Sequence, residues 1–149
     1  MILTLQKQKD YELLDSGENA KLERFGSFIM SRPDKEAMWP KSLNKKEWEN
    51  ADLFFSRDGK KTKWSIKNGT PKEWIVEIGG LKFIIKPTSF KHTGLFPEQS
   101  LNWSWMEDII LKEKREVSVL NLFSYIWGAS LACAKAGATV CHVDASKQA

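Results

Sequence analysis

The chain has 149 residues, enough for one average domain or for a small domain and part of another. Its 42% hydrophobic and 28% charged residues are those of a globular protein, and it has no run of about 18 apolar residues that could span a membrane. The net charge of +4 is unevenly placed: residues 57–91 carry 9 basic and 3 acidic side chains (+6), while 1–56 carry 9 and 10 (−1) and 92–149 carry 5 and 6 (−1).

The opening "MILTLQKQKDYELLD" has neither the apolar stretch nor the small-residue cleavage site of a secretory signal, which points to the cytoplasm. "YELLD" (11–15) and "SFIMS" (27–31) read as strands separated by the turn-prone "SGEN" and a charged stretch. "SLNKKEWENA" reads as a short helix that Ser42 or Asn44 is placed to cap. The middle is rich in aromatic and β-branched residues: "LFFSR" (53–57), "KWSIK" (63–67), "WIVEI" (74–78) and "LKFIIKP" (81–87). Turn signals at Asp58-Gly59, Asn68-Gly69 and Gly79-Gly80 separate them, and a small antiparallel sheet is expected here. The basic excess falls on this segment, and fits either a polyanionic partner such as RNA or an edge kept soluble by lysines.

Pro97 suits the first turn of a helix running through "LFPEQSLNWSWMEDIILKEKRE". Leu101, Trp105 and Ile109 recur every four residues, with Met106 and Ile110 beside them, and this stripe is expected to face the core. "VSVLNLF" (117–123) then reads as a strand buried on both faces, "GASLACAKAG" as a helix ended by Gly137, and "TVCHV" as a second strand. The crossover rule makes the two strands parallel neighbours. Cys133 and Cys141 fall in apolar settings and are expected to be buried thiols; His92 and His142 have no ligand spacing, so no metal is expected.

In such an α/β unit ligands sit at the carboxyl ends of the strands, and an acid after the second strand can accept hydrogen bonds from ribose hydroxyls. Asp144 follows Asn121 by 23 positions, which fits either a ligand containing a nucleoside or any βαβ unit with an acid after its second strand. The loop between them lacks the G-x-G-x-x-G that lets pyrophosphate approach the backbone, which argues against a nicotinamide oxidoreductase.

The segment "VLNLFSYIWGASLACAKAGATVCHVDASK" resembles the cofactor-binding start of class I S-adenosylmethionine-dependent methyltransferases related to the 23S ribosomal RNA cytosine-C5 methyltransferases. "GLFPEQSLNWSWM" (94–106), "YELLDSGENAKLERFG" and "SRPDKEAMW" resemble upstream parts of the same family, in order. The resemblance implies an α/β chain: a β-rich accessory region over 1–93, placed beside RNA, then the start of a Rossmann-like methyltransferase sheet over 94–149. It implies S-adenosylmethionine as cofactor. Asn121 to Gly128 would wrap its methionine part, with Phe123 and Tyr125 lining the loop. Asp144 would bind the ribose, Ala145 and Ser146 would edge the adenine, and Glu98 and Gln99 would lie over the cofactor. The family's Thr-Gly stands here as Ile126-Trp127. An indole there is expected either to intrude on the cofactor, with backbone strain if residue 127 needs a positive φ, or to swing out onto the following helix.

The residues acting on the target base are expected beyond residue 149, so the chain reads as the N-terminal part of a methyltransferase, inactive alone. The alternative is a non-catalytic RNA-binding module derived from one, and the oligomeric state is left open.

Overall fold

The computed structural model describes residues 7–58, 61–88 and 93–145; Gly59, His92 and Ser146 lie outside them. The described residues form two compact units, one running through residue 78 and taking in 82–94, the other built of 79–81 and 95 onward. Among them no helix is long and apolar enough to cross a membrane.

The first unit is a five-stranded sheet in the order β1 (Tyr11–Gly17), β2 (Ala20–Phe25), β3 (Phe28–Pro33), β4 (Leu53–Asp58), β5 (Lys61–Ile66). All neighbours are antiparallel except β3 and β4, which pair in parallel through Met30–Leu53 and Ser31–Phe54. The charged stretch 20–25, expected to connect strands, is itself a strand. Glu23 hides it, because a fully buried glutamate breaks the apolar alternation that marks a strand. Arg32 satisfies Glu23 with two hydrogen bonds, Nε to Oε2 at 2.7 Å and Nη2 to Oε1 at 3.0 Å, and the Tyr11 hydroxyl donates to Oε1 at 3.0 Å.

The middle strands do not make one sheet, as the sequence suggests. β4 and β5 extend the N-terminal sheet, while β6 (Trp74–Ile78) and β7 (Leu81–Ile85) pair separately. Gly79 and Gly80, at φ 60° and 69°, make the two-residue turn between them, a conformation that disfavours side chains. Trp74 pins the hairpin: its Nε1 donates to the Phe25 carbonyl at 2.9 Å and its ring meets Phe28 at 5.0 Å. Val76, Ile78, Phe83 and Ile85 are buried.

On the opposite face Leu22 packs with Trp48 and Ala51. Trp48 comes from α1 (Lys45–Glu49), whose cap is Asn44 in a reciprocal box with Glu47. The connection to this helix is organised by Asp15. Leu14 is bulged out of the β1–β2 register, which turns Asp15 inward. Its carboxylate accepts from the amides of Ser16, Ser42 and Leu43 and from Trp48 Nε1, at 2.9 to 3.1 Å by the shorter bond to each.

In the second unit Pro97–Gln99 form one 3-10 turn that leads into α2 (Ser100–Lys112), followed by β8 (Ser118–Leu122), α3 (Gly128–Lys135) and β9 (Thr139–Val143). β8 and β9 are parallel and in register from Ser118–Thr139 to Leu122–Val143, as the crossover rule requires. Ile110, Cys133 and Ala138 form the core, flanked by Met106, Val119 and Val140. Three expectations fail here. The buried face of α2 is Ser100, Trp103 and Ile110, and the stripe through Trp105 and Ile109 is exposed, because α3 packs one helical step away from it. β8 is not buried on both faces: Leu120, Leu122 and Val143 are exposed, since helices cover one face only. Cys141 lies on that same bare face and is exposed, while Cys133 is buried, which raises its thiol pKa, as does the charge of Glu107.

Burial alone would raise the pKa of Asp15, but the amides of Leu43 and Ser42 and the Trp48 indole favour the carboxylate and leave it below its usual range. A folded-state pKa below the unfolded value gives stability that is present above the unfolded pKa and lost as pH falls through the folded one. Urea unfolding should therefore show wild type losing stability below about pH 4. Asp15→Ala should be less stable by about 2 kcal/mol at pH 7 and flatter in acid; equal pH slopes would show that Asp15 carries no such linkage.

Candidate functional site

At the carboxyl end of β8 the chain turns through two non-glycine residues with positive φ, Phe123 (54°) and Tyr125 (48°). Each costs on the order of 1–2 kcal/mol unless its surroundings impose it. Ser124 between them does so. Its amide donates to the Val143 carbonyl at 3.2 Å, and its hydroxyl lies 2.5 Å from the Asn121 carbonyl and 2.9 Å from that of Val143. Asp144 completes the clamp by accepting the Tyr125 amide on Oδ2 at 2.7 Å. The acid that ends β9 is thus engaged by the backbone of the loop it faces.

The helix that follows starts close against α2. A Cβ on Gly128 would stand 2.8 Å from Trp103 Cε2 and closer still to Cζ2, so only glycine fits there. Trp127 has φ −59°, so the strain expected at this position is absent. Its indole stacks on the His142 ring, with centroids 4.1 Å apart and planes 9° from parallel. His142 is held in turn by Ser130, whose Oγ is 2.8 Å from Nδ1 and accepts from Asn121 Nδ2 at 2.9 Å.

These elements border a cavity of about 380 Å³. It is lined by Phe96, Glu98 and Gln99 before α2, by Trp103 on it, and by Asn121, Phe123, Ser124, Tyr125, Ile126, Gly128 and Ala129 around the loop, with Leu95 at its edge. Of the residues singled out in the sequence, Glu98, Gln99, Asn121, Phe123, Tyr125 and Gly128 come together here. Asp144 and Ala145 are not on the wall; Asp144 stands behind it, through Tyr125. Trp127 is also off the wall, seated on His142. Two residues that the sequence reading passed over matter most to the shape: Trp103, whose only signal was a tryptophan facing a glycine in the next helix, and Ser124, a small polar residue between two aromatics.

The chemistry of the wall is specific. Among the described residues Glu98 is its one charged side chain, and no Lys or Arg lines it. Phe96 and Tyr125 form a tilted ring pair with centroids 5.2 Å apart. The amide orientations follow from their bonds: Asn121 Nδ2 is spent on Ser130, leaving Oδ1 to accept, while Gln99 Oε1 takes Asn102 Nδ2 at 2.8 Å, leaving Nε2 to donate.

No family model matches the chain, and no curated protein sequence matches it. Among solved structures it is similar to the SAM-dependent methyltransferase from Agrobacterium tumefaciens, with 40% identity and a TM-score of 0.87 over 94% of this chain. The fold is shared with SAM-dependent methyltransferases. A proposed SAM-dependent methyltransferase from Streptococcus mutans (18% identity, TM-score 0.67) and a proposed methyltransferase complexed with SAH (17%, 0.64) each cover 96% of this chain and share the fold. The chain spans 45% of the length of the first of these and 40% of the other two.

The Gly128–Trp103 approach is testable by stability. Gly128→Ala should destabilise the chain by about 1–3 kcal/mol through overpacking. In a Trp103→Leu background the same substitution should cost much less, the mark of direct coupling. An undiminished penalty in denaturant titration would mean the close approach is not what excludes a side chain.

Proposed function

We propose that this chain supplies the cofactor-binding part of an S-adenosylmethionine-dependent methyltransferase acting on RNA, in the class of the 23S ribosomal RNA cytosine-C5 enzymes it resembles. The observation that carries the reading is the wall of the cavity at the carboxyl end of β8. A pyrophosphate calls for cations or bare backbone amides, and this wall has no cation among the described residues and is crowded with side chains. An α-amino acid tail finds partners instead: Glu98 and Asn121 Oδ1 accept from its ammonium, and Gln99 Nε2 donates to its carboxylate. The 40% identity to the Agrobacterium tumefaciens methyltransferase over nearly the whole chain supports the same cofactor.

Neither cysteine lines the cavity, and we place the groups that act on the target base in sequence that these 149 residues do not contain. The concentration of +6 in residues 57–91 supports RNA as partner, with the β-rich unit as the accessory region and the cytoplasm as the place of work. The same charge favours a second reading, a non-catalytic RNA-binding module.

Calorimetry on the 149-residue chain separates the two. Saturable binding of S-adenosylmethionine, weakened by roughly 1.5–3 kcal/mol in Asp144→Ala because the Tyr125 amide loses its charged acceptor, supports the first. RNA binding with a steep salt dependence and no cofactor binding supports the second. Trp127→Gly should leave cofactor affinity unchanged, since the indole rests on His142; a large gain would place it in the ligand's path.

A further inference from the structure

We propose that Ser130 and His142 are positioning residues for the cofactor: they turn Asn121 so that its Oδ1 faces the cavity, and they do so only while His142 is uncharged. The inference rests on the function proposed above and specifies what controls that site.

Asn121 and His142 stand opposite each other on β8 and β9. Ser130 reaches both from α3, its Oγ 2.9 Å from Asn121 Nδ2 and 2.8 Å from His142 Nδ1. A hydroxyl has one proton to give. Oγ accepts from Asn121 Nδ2, so its own proton goes to Nδ1, and His142 is then the neutral tautomer that carries hydrogen on Nε2. Donation thus runs one way, from Asn121 through Ser130 to His142. It leaves Oδ1 as the atom that Asn121 offers to the cavity it lines.

Protonation of His142 reverses the direction. Nδ1 becomes a donor to Oγ, the hydroxyl proton swings to Asn121, and only Oδ1 can receive it. Ser130 is 3% exposed, and a buried hydroxyl is costly to leave without an acceptor, so the amide flips. The flip brings Nδ2 to the cavity, and a donor meets the ligand's ammonium where an acceptor stood. Among the described residues the titratable groups on the surrounding elements are engaged elsewhere. Cys133 of α3 bonds Met106, Lys135 bonds Glu107 of α2, Asp144 holds the Tyr125 amide, the Tyr125 ring pairs with Phe96, Cys141 is exposed, and β8 carries none.

Calorimetric titration with S-adenosylmethionine at about pH 7 and about pH 5 spans the charge change of histidine while the ligand keeps its ammonium. Wild type should bind roughly tenfold more weakly at the lower pH. His142→Asn, which keeps an acceptor for Ser130 but takes no charge, should lose that step; any other group that titrates does so in both proteins. Ser130→Ala should bind more weakly at the higher pH and lose the step as well, with circular dichroism at both pH values to confirm folding. Nitrogen NMR of the ligand-free chain at about pH 8, where histidine is neutral, should show His142 Nδ1 without hydrogen, the signal being assigned by its loss in His142→Asn. Hydrogen on Nδ1 of the neutral ring, no pH step in wild type, or an equal step in His142→Asn overturns the inference and leaves the proposed function standing. Failure of wild type to bind S-adenosylmethionine at either pH overturns both.

Discussion

Ser124 joins the carboxyl ends of the two parallel strands, and the geometry of the cavity depends on it. With its amide and hydroxyl both directed at Val143, it converts the end of β8 and the end of β9 into one rigid edge. Asp144, one residue further on, holds the next amide in the same way. These bonds support the positive φ of Phe123 and Tyr125, and with it the direction in which the loop carries both rings. Glycine-rich loops reach tight turns through backbone freedom; this one reaches it through side-chain clamps from the neighbouring strand.

The clamp extends along the covered face of the strand pair. Asn121, Ser130, His142 and Trp127 form a chain of contacts running from β8 through α3 to β9 and back to the first residues of the helix. Gly128 lets that helix start against Trp103. Two features thus seat α3: a polar chain on one side and a close aromatic–glycine approach on the other. The cavity between loop and α2 inherits its shape from both. The opposite face of the strands has no such support, and Leu120, Leu122, Val143 and Cys141 are exposed there.

What could be read from the sequence was the part in which one physical rule acts alone. The parallel crossover of 117–143 followed from an apolar run, an alanine-rich helix and handedness, and the two-glycine hairpin followed from φ. Features that require two distant residues to be seen together were not legible. Strand 20–25 was hidden because Glu23 is polar by itself and becomes a core residue only opposite Arg32. The face of α2 was misjudged because the four-residue recurrence of Leu101, Trp105 and Ile109 is the stronger pattern, while burial was decided by where α3 packs. Trp127 was judged against a glycine in a family pattern, whereas its position depends on His142, fifteen residues away.

The loop's departure from glycine also bears on what it can hold. A glycine-rich turn leaves bare amides near the ligand and suits a phosphate, which needs donors and close approach. Here the amides of Ser124 and Tyr125 are consumed by Val143 and Asp144, so they are not offered to an anion. In exchange the turn directs aromatic side chains, at a strain on the order of 1–2 kcal/mol for each of the two left-handed residues. That exchange is unfavourable for a dinucleotide and agrees with the cofactor proposed above. The bonds that make a glycine-free loop possible are therefore the same ones that withhold its amides from a phosphate.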